Sequence, residues 1–273
     1  MCIRDRALTV ASQHPPHIGF EVASLEELGE NIEINFGNSG TSMRLMMGIL
    51  SAQKFSSTLF GDQSLNQRPM NRISNPLKMM NGDIKTTNGI PPVRISPVDK
   101  IRNTDHIITI ASAQIKSAIM LAGLYGQESF KITTPHSRDH TEIMLNQFGC
   151  KISTESNAIK FTPSKLTSPN KINIPGDISS AAFFIVGSII SKDSQVKIKN
   201  VGLNPLRTGF IDILKMMGAN IEITDLKEIN GEFVGNINVE SSPLIGITIP
   251  KDLIARSIDE LSLIHISEPT RPY

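Results

Sequence analysis

Gly37-Asn38-Ser39-Gly40-Thr41-Ser42-Met43-Arg44 runs straight into Leu45-Met46-Met47-Gly48-Ile49-Leu50. Small and hydroxyl-bearing residues give way without a break to an apolar run, which reads as a turn opening onto the N-terminus of a helix. Such a terminus presents unpaired N–H groups and the positive end of the helix dipole, a ready site for an anion. Arg44, one turn in, adds a permanent fork of donors suited to phosphate or carboxylate. Taken alone, the stretch reads equally well as a capped helix with an exposed arginine. What decides the fold is that the chain makes similar moves twice more.

Three segments share one order: small and hydroxyl residues, an apolar helix, a strand, a polar loop with Arg, then a second helix ending near Gly before an Ile strand. They run from Gly37 through the Arg68 loop to Ile84, from Ala111-Ser112-Ala113-Gln114 through Ser137-Arg138-Asp139-His140 to Ile152, and from Gly176-Asp177-Ile178-Ser179-Ser180 through Asn204-Pro205-Leu206-Arg207 to Ile221. The closing isoleucines at 84, 152 and 221 keep a nearly constant period, longer than that of the common solenoids. Apolar residues recur through the helical stretches at Ile143, Leu145, Phe148 and, three apart, at Ile211, Leu214, Met217; Gln195 to Ile198 and Asn236 to Val239 read as short strands. The prediction is a mixed α/β protein of tandem units, with a domain boundary after the polar, Pro-containing stretch 162–170, placing a first domain at 7–174 and a second at 175–260.

With 273 residues and 39% hydrophobic content the chain can build a substantial core. A formal charge of +1 provides no basic field for nucleic acid or an anionic membrane, so any anion binding must be local. No run reaches the length of a membrane span and no basic-led apolar segment marks a secretory signal, so a cytoplasmic protein is expected.

Both ends look foreign. One short oligonucleotide encodes Met1-Cys2-Ile3-Arg4-Asp5, and its reverse complement encodes Ser262-Leu263-Ile264-His265, as an adapter used in sequencing libraries would. Residues 1–6 and 261–273 are therefore expected to be non-native and are left out of the fold reading. Without their three basic and two acidic residues, the 27 and 26 charges of each sign become equal. Cys150 is then the only cysteine, which leaves no disulfide and no cysteine-based metal site.

Arg68 precedes Pro69, which pushes it out of helical geometry and pre-positions its guanidinium, although a solvated loop arginine has the same signature. Ser112 and Gln114 stand at a helix start, where Ser is first of all a cap. Ser137-Arg138-Asp139-His140-Thr141-Glu142 offers a hydroxyl, a guanidinium and a cap-like Thr, or simply a helix start with local ion pairs. His140 is left as structural. Asp259, after Ile258, reads as an acidic residue leaving an apolar strand and could serve as a general base. No Gly-x-Gly-x-x-Gly, Walker-type or HExxH motif occurs, so neither a cofactor nor a metal is expected.

Asn38-Ser39-Gly40-Thr41-x-Met43-Arg44, Arg68-Pro69-Met70, Ala111-Ser112-Ala113-Gln114-x-Lys116-Ser117-Ala118, Ser137-Arg138-Asp139-His140-Thr141-Glu142, Pro175-Gly176-Asp177-Ile178-Ser179-Ser180-Ala181-Ala182, Asn200-Val201-Gly202-Leu203-Asn204-Pro205 and Ile258-Asp259-Glu260 together resemble the EPSP synthase (3-phosphoshikimate 1-carboxyvinyltransferase) family. The resemblance covers residues 34–260 in order. It implies an inside-out α/β barrel of βαβαββ units in two domains, the second incomplete here. The implied activity is transfer of the enolpyruvyl group of phosphoenolpyruvate to the 5-hydroxyl of shikimate 3-phosphate with release of phosphate, on the route to chorismate and the aromatic amino acids. By the same resemblance Ser112, Gln114, Ser137, Arg138 and Asp259 hold shikimate 3-phosphate, while Gly40, Arg68 and Gln114 bind phosphoenolpyruvate. Asp259 is the acid/base, and Asn38, Thr41, Arg44 and Asp177 shape the site.

Those two small molecules are the expected partners, with no nucleic acid, no membrane and a monomeric state. The family's N-terminal Lys-Ser and Arg and its Lys-Glu-Ser-Asp-Arg segment are not found, so the chain as written is expected to be inactive. One alternative is a non-catalytic fragment that binds shikimate 3-phosphate. The other, the sister enolpyruvyl transferase acting on UDP-N-acetylglucosamine, needs a catalytic Cys loop, and Cys150 directly follows Gly149 near a strand instead.

Overall fold

A computed structural model describes residues 31–169 and 171–261. The non-native ends expected at 1–6 and, beyond Leu261, to 273 lie outside the described residues. Leu261 itself is partly buried against the apolar core that precedes it.

The first unit begins with β1 (Asn31–Asn35), α1 (Gly40–Leu50), β2 (Ser56–Phe60), a 3-10 turn (Leu65–Gln67), α2 (Asn71–Met79), β3 (Asp83–Thr87) and β4 (Ile90–Ser96). Its sheet has the order β1-β2-β4-β3, with β1 parallel to β2 and the other pairs antiparallel. The second repeat supplies β5 (His106–Ile107), α3 (Ala113–Gly123), β6 (Phe130–Thr133), α4 (His140–Gln147), β7 (Lys151–Glu155) and β8 (Ala158–Thr162). Its order, β5-β6-β8-β7, repeats the same pairing. The third consists of α5 (Ile178–Ile190), β9 (Gln195–Gly202), α6 (Gly209–Met216), β10 (Asn220–Ile229) and β11 (Glu232–Glu240), followed by α7 (Lys251–Ser257). In its three-stranded sheet β11 lies between β9 and β10, and where the other sheets have a parallel first strand a single parallel bridge joins Gly176 to Val201. The tandem α/β reading is the observed architecture, and the third copy has contracted its first strand to one residue.

Two compact units result. One holds the described residues through Pro135 together with Lys151–Lys165; the other holds His136–Cys150 with the described residues from Leu166 on. Pro175 and Gly176 thus fall inside the second unit, and α4 goes with that unit while the sheet of its own repeat goes with the first.

Amphipathic spacing accounts for the cores. In the first unit Met43 and Met47 of α1, Leu77 of α2, Ile119 and Met120 of α3 and Leu59, Ile132 and Phe161 of the sheets are fully buried, each contributing roughly 1.5–3 kcal/mol of transfer free energy. In the second, Ala182, Ile185, Phe210, Ile213, Leu214, Met217, Ile237 and Val239 form one cluster. The Ile211, Leu214, Met217 face is buried throughout. Ile143, Leu145 and Phe148 do not share one face: Leu145 is buried, whereas Ile143 and Phe148 are only half-buried beside a cavity of about 290 Å³ in the second unit. No helix among the described residues is long and apolar enough to cross a membrane.

Candidate functional site

Helix α1 starts as its sequence dictates. Ser39 is the N-cap, its hydroxyl accepting from the Ser42 N–H at 3.3 Å, and Gly40 is the first, buried helical residue. A Cβ at Gly40 would lie 3.2 Å from Arg68 Nη1 and 3.4 Å from Arg44 Nη1. Two guanidinium tips therefore crowd the backbone of the helix N-terminus, where a side chain at Gly40 would press on them.

Three arginines meet there. Arg68 ends the 3-10 turn in an extended conformation, as Pro69 requires, and donates to Asn38 Oδ1 at 2.6 Å. Asn38 in turn donates to Asp62 Oδ2 at 2.7 Å. Arg44 is not the exposed arginine that the isolated stretch allowed: it is 6% exposed, donating to Gln114 Oε1 at 2.9 Å and to the Pro69 carbonyl at 3.3 Å. Its buried Nε has no partner among the described residues. Arg72, in the first turn of α2, reaches the same Gln114 oxygen at 3.4 Å, and Gln114 Nε2 donates to Thr41 Oγ1 at 2.9 Å. None of the three guanidiniums forms an ion pair with a carboxylate of a described residue. Burial, then the like charges of Arg72 and Arg68, push the pKa of Arg44 down to about 10. Asp62, attracted to Arg68 and tied to it through Asn38, offsets part of this like-charge repulsion, and a bound anion would relieve the rest.

Gln114 reaches this cluster because α1 and α3 pack closely. A Cβ at Gly48 would sit 2.3 Å from the Ala118 carbonyl oxygen, so glycine is what lets the two backbones approach. Ser112 caps α3, its hydroxyl accepting from the Ile115 N–H at 3.4 Å.

The second unit gathers another charged group. Arg138 Nη1 lies 3.2 Å from Asp259 Oδ2. Arg207 is 3.9 Å from the same carboxylate, 3.3 Å from Glu260 Oε1, and donates to the Ser179 hydroxyl. That hydroxyl donates to Glu260 Oε1 at 2.5 Å. Glu260 is buried at 2% exposure while its neighbour Asp259 stays exposed, so consecutive carboxylates serve an anchor and an open face. Asp259 follows the helix α7, which corrects the expected strand: the Leu253 and Ser257 side of Lys251–Ser257 is buried, and the apolar run is helical. Asp177 caps α5, accepting from the Ser179 and Ser180 N–H groups at 3.4 and 3.0 Å. Ser137 lies just before α4, whose N-cap is Asp139; the cap-like Thr141 is already inside the helix.

Each predicted residue thus falls at a helix N-terminus, in an arginine loop or on the turn after α7. Gly40, Thr41, Arg44, Arg68, Asn38 and Gln114 come together in the first unit; Arg138 and Asp259 come together in the second, with Asp177 at the N-terminus of α5. Sequence reasoning missed Arg72 and gave Arg207 and Glu260 no role, although Arg207 recurs in the same loop position as Arg68 and Arg138. His140 pairs with Glu232 and lines the same cavity of the second unit as Asp177 and Arg207, and Cys150 is buried with its N–H on the Leu145 carbonyl. Among the described residues no group of His, Cys, Asp and Glu could hold a metal ion.

Residues 18–262 match the model of the EPSP synthase (3-phosphoshikimate 1-carboxyvinyltransferase) family. A curated 3-phosphoshikimate 1-carboxyvinyltransferase of Vesicomyosocius okutanii subsp. Calyptogena okutanii (strain HA) is 45% identical over 237 residues, covering 86% of this chain and 54% of that protein. The protein of the same name from Legionella pneumophila (strain Lens) is 46% identical over 235 residues, with the same coverage. A solved structure of EPSP synthase from Acinetobacter baumannii superposes with a TM-score of 0.77 at 44% identity, over 86% of this chain and 54% of that one. The chain spans about half the length of the curated relatives it matches.

Proposed function

The chain belongs to the EPSP synthase family, and from that premise we propose that its residues serve the transfer of the enolpyruvyl group from phosphoenolpyruvate to the 5-hydroxyl of shikimate 3-phosphate, with release of phosphate. The observation that carries this reading is the set of guanidiniums of Arg44, Arg68 and Arg72, none in an ion pair with a described carboxylate, beside the Gly40 helix terminus. Phosphoenolpyruvate bears a phosphate and a carboxylate, and fixed cations beside free N–H groups are what a small multiply charged anion needs. In this reading Gly40, Arg68 and Gln114 take phosphoenolpyruvate, with Gly40 allowing close backbone approach. Ser112, Gln114, Ser137 and Arg138 take shikimate 3-phosphate. Asp259 removes the proton of the attacking hydroxyl, while Arg138, 3.2 Å away, orients its carboxylate. Asn38, Thr41, Arg44 and Asp177 hold these groups in place.

Calorimetric titration of the chain with phosphoenolpyruvate tests the reading. Binding that is lost in Arg68→Ala supports it; equal heats for the chain and the variant overturn it. Asp259→Asn should leave that titration unchanged, because its carboxylate acts on the other substrate.

A further inference from the structure

We infer that Arg72 is a positioning residue: with Arg44 it locks the Gln114 side-chain amide with its oxygen inward, so that the face offered to a ligand is a hydrogen-bond donor. An amide can flip end for end at little cost unless its partners decide between oxygen and nitrogen. Here they do. The Gln114 oxygen accepts from Arg44 Nη1 at 2.9 Å and from Arg72 Nη2 at 3.4 Å, while its nitrogen donates to Thr41 Oγ1 at 2.9 Å. Flipping the amide would set its N–H groups against two guanidiniums, donor against donor. The nitrogen has a second hydrogen, and no described residue accepts it. That hydrogen is left for the ligand.

The sign of this face matters next to an anion. An amide N–H strengthens the arginine cluster, whereas an amide oxygen would add a partial negative charge in the same place. Arg44 alone supplies one charged donor to hold the orientation; Arg72 supplies the second, from a different helix. Arg72 is exposed and carries no ion pair to a described carboxylate, so its place beside two like charges is not explained by fold stability.

The inference rests on the reading of Gln114 and Arg68 as phosphoenolpyruvate ligands, and the experiment separates the two. The Gln114 side-chain NH₂ pair is assigned in the ¹⁵N–¹H spectrum of the full chain by its loss in Gln114→Glu. Arg72→Met, at an exposed position, should keep the melting temperature but shift and sharpen that pair as the amide begins to flip. Phosphoenolpyruvate affinity should fall by about threefold to tenfold, the size of one lost hydrogen bond, with Arg72→Lys partly restoring both. An NH₂ pair unchanged in Arg72→Met overturns the inference, whatever the affinity does. An NH₂ pair that moves while neither Arg72→Met nor Arg68→Ala changes phosphoenolpyruvate binding leaves the positioning role standing and overturns the ligand reading.

Discussion

Gly40 acts through the absence of one carbon. Its missing Cβ leaves 3.2 Å and 3.4 Å to the tips of two guanidiniums, both at the far ends of flexible side chains. Gly40→Ala should therefore fold, with Arg68 and Arg44 displaced by a few tenths of an ångström from the helix N-terminus. A loss of about tenfold in phosphoenolpyruvate affinity, with an unchanged melting temperature, is the expected titration result. Asp177 makes a different residue-level case. Burial acts to raise its carboxyl pKa, but hydrogen bonds from the Ser180 hydroxyl and the Ser180 and Ser179 N–H groups, together with the charge of Arg207, hold it below the ordinary value. A depressed carboxyl contributes stability that is present above the unfolded pKa, about 4, and is lost as pH falls through the folded one. Asp177→Ala should cost about 1 kcal/mol at neutral pH as a lost cap, and the gap to the parent chain should close in denaturation curves taken below about pH 4. Gly40 and Arg68 were legible in the sequence because glycine and Arg-Pro carry local signals, whereas Asp177 came only through the family motif and its capping role only from the structure. Arg72 was not, since an arginine in the first turn of a helix looks like any solvated one until α3 brings Gln114 beside it.

The α1–α3 pair shows what elements add. Each helix was readable from its cap and its apolar run, but their approach depends on Gly48 lying against the Ala118 carbonyl, a pairing 70 residues apart in the chain. Gly48→Ala places a Cβ 2.3 Å from backbone oxygen, which cannot move as a side-chain tip can. The helices must separate, and chemical denaturation should report a loss of about 2 kcal/mol, together with a weakened Thr41–Gln114 bond. A variant as stable as the parent would show that the packing is looser than the geometry states. The same scale explains the misread turn at Asp259. Ile258 stands out as apolar beside two acids, which suggests a strand end, yet Leu253 and Ser257, four apart, are the buried residues, and the run before Asp259 is helical. In α4 Leu145 faces the core while Ile143, two residues away and so on nearly the opposite side of the helix, and Phe148, at its C-cap, are only half-buried beside a cavity.

Over the whole molecule the net charge is +1, so no long-range field draws in an anion, and what attraction exists is local to the arginine cluster. Phosphoenolpyruvate affinity should then fall severalfold between about 0.05 and 0.5 M salt, as exposed charges are screened, while duplex DNA should show no retention at physiological ionic strength. DNA binding at that salt would mean that a basic face has been overlooked. The sequence by itself determined the tandem α/β architecture, the starts of α1 and α3, the arginine loops and the family, because period, capping chemistry and motif order are properties of neighbours along the chain. The tertiary structure alone decided that Arg44 is buried, that Arg72 shares Gln114 with it, that Glu260 anchors while Asp259 stays open, and that the third repeat has a single bridge where the others have a first strand. Those outcomes depend on which side chains meet across tens of residues, where burial and charge are set by packing and no local pattern records the partner.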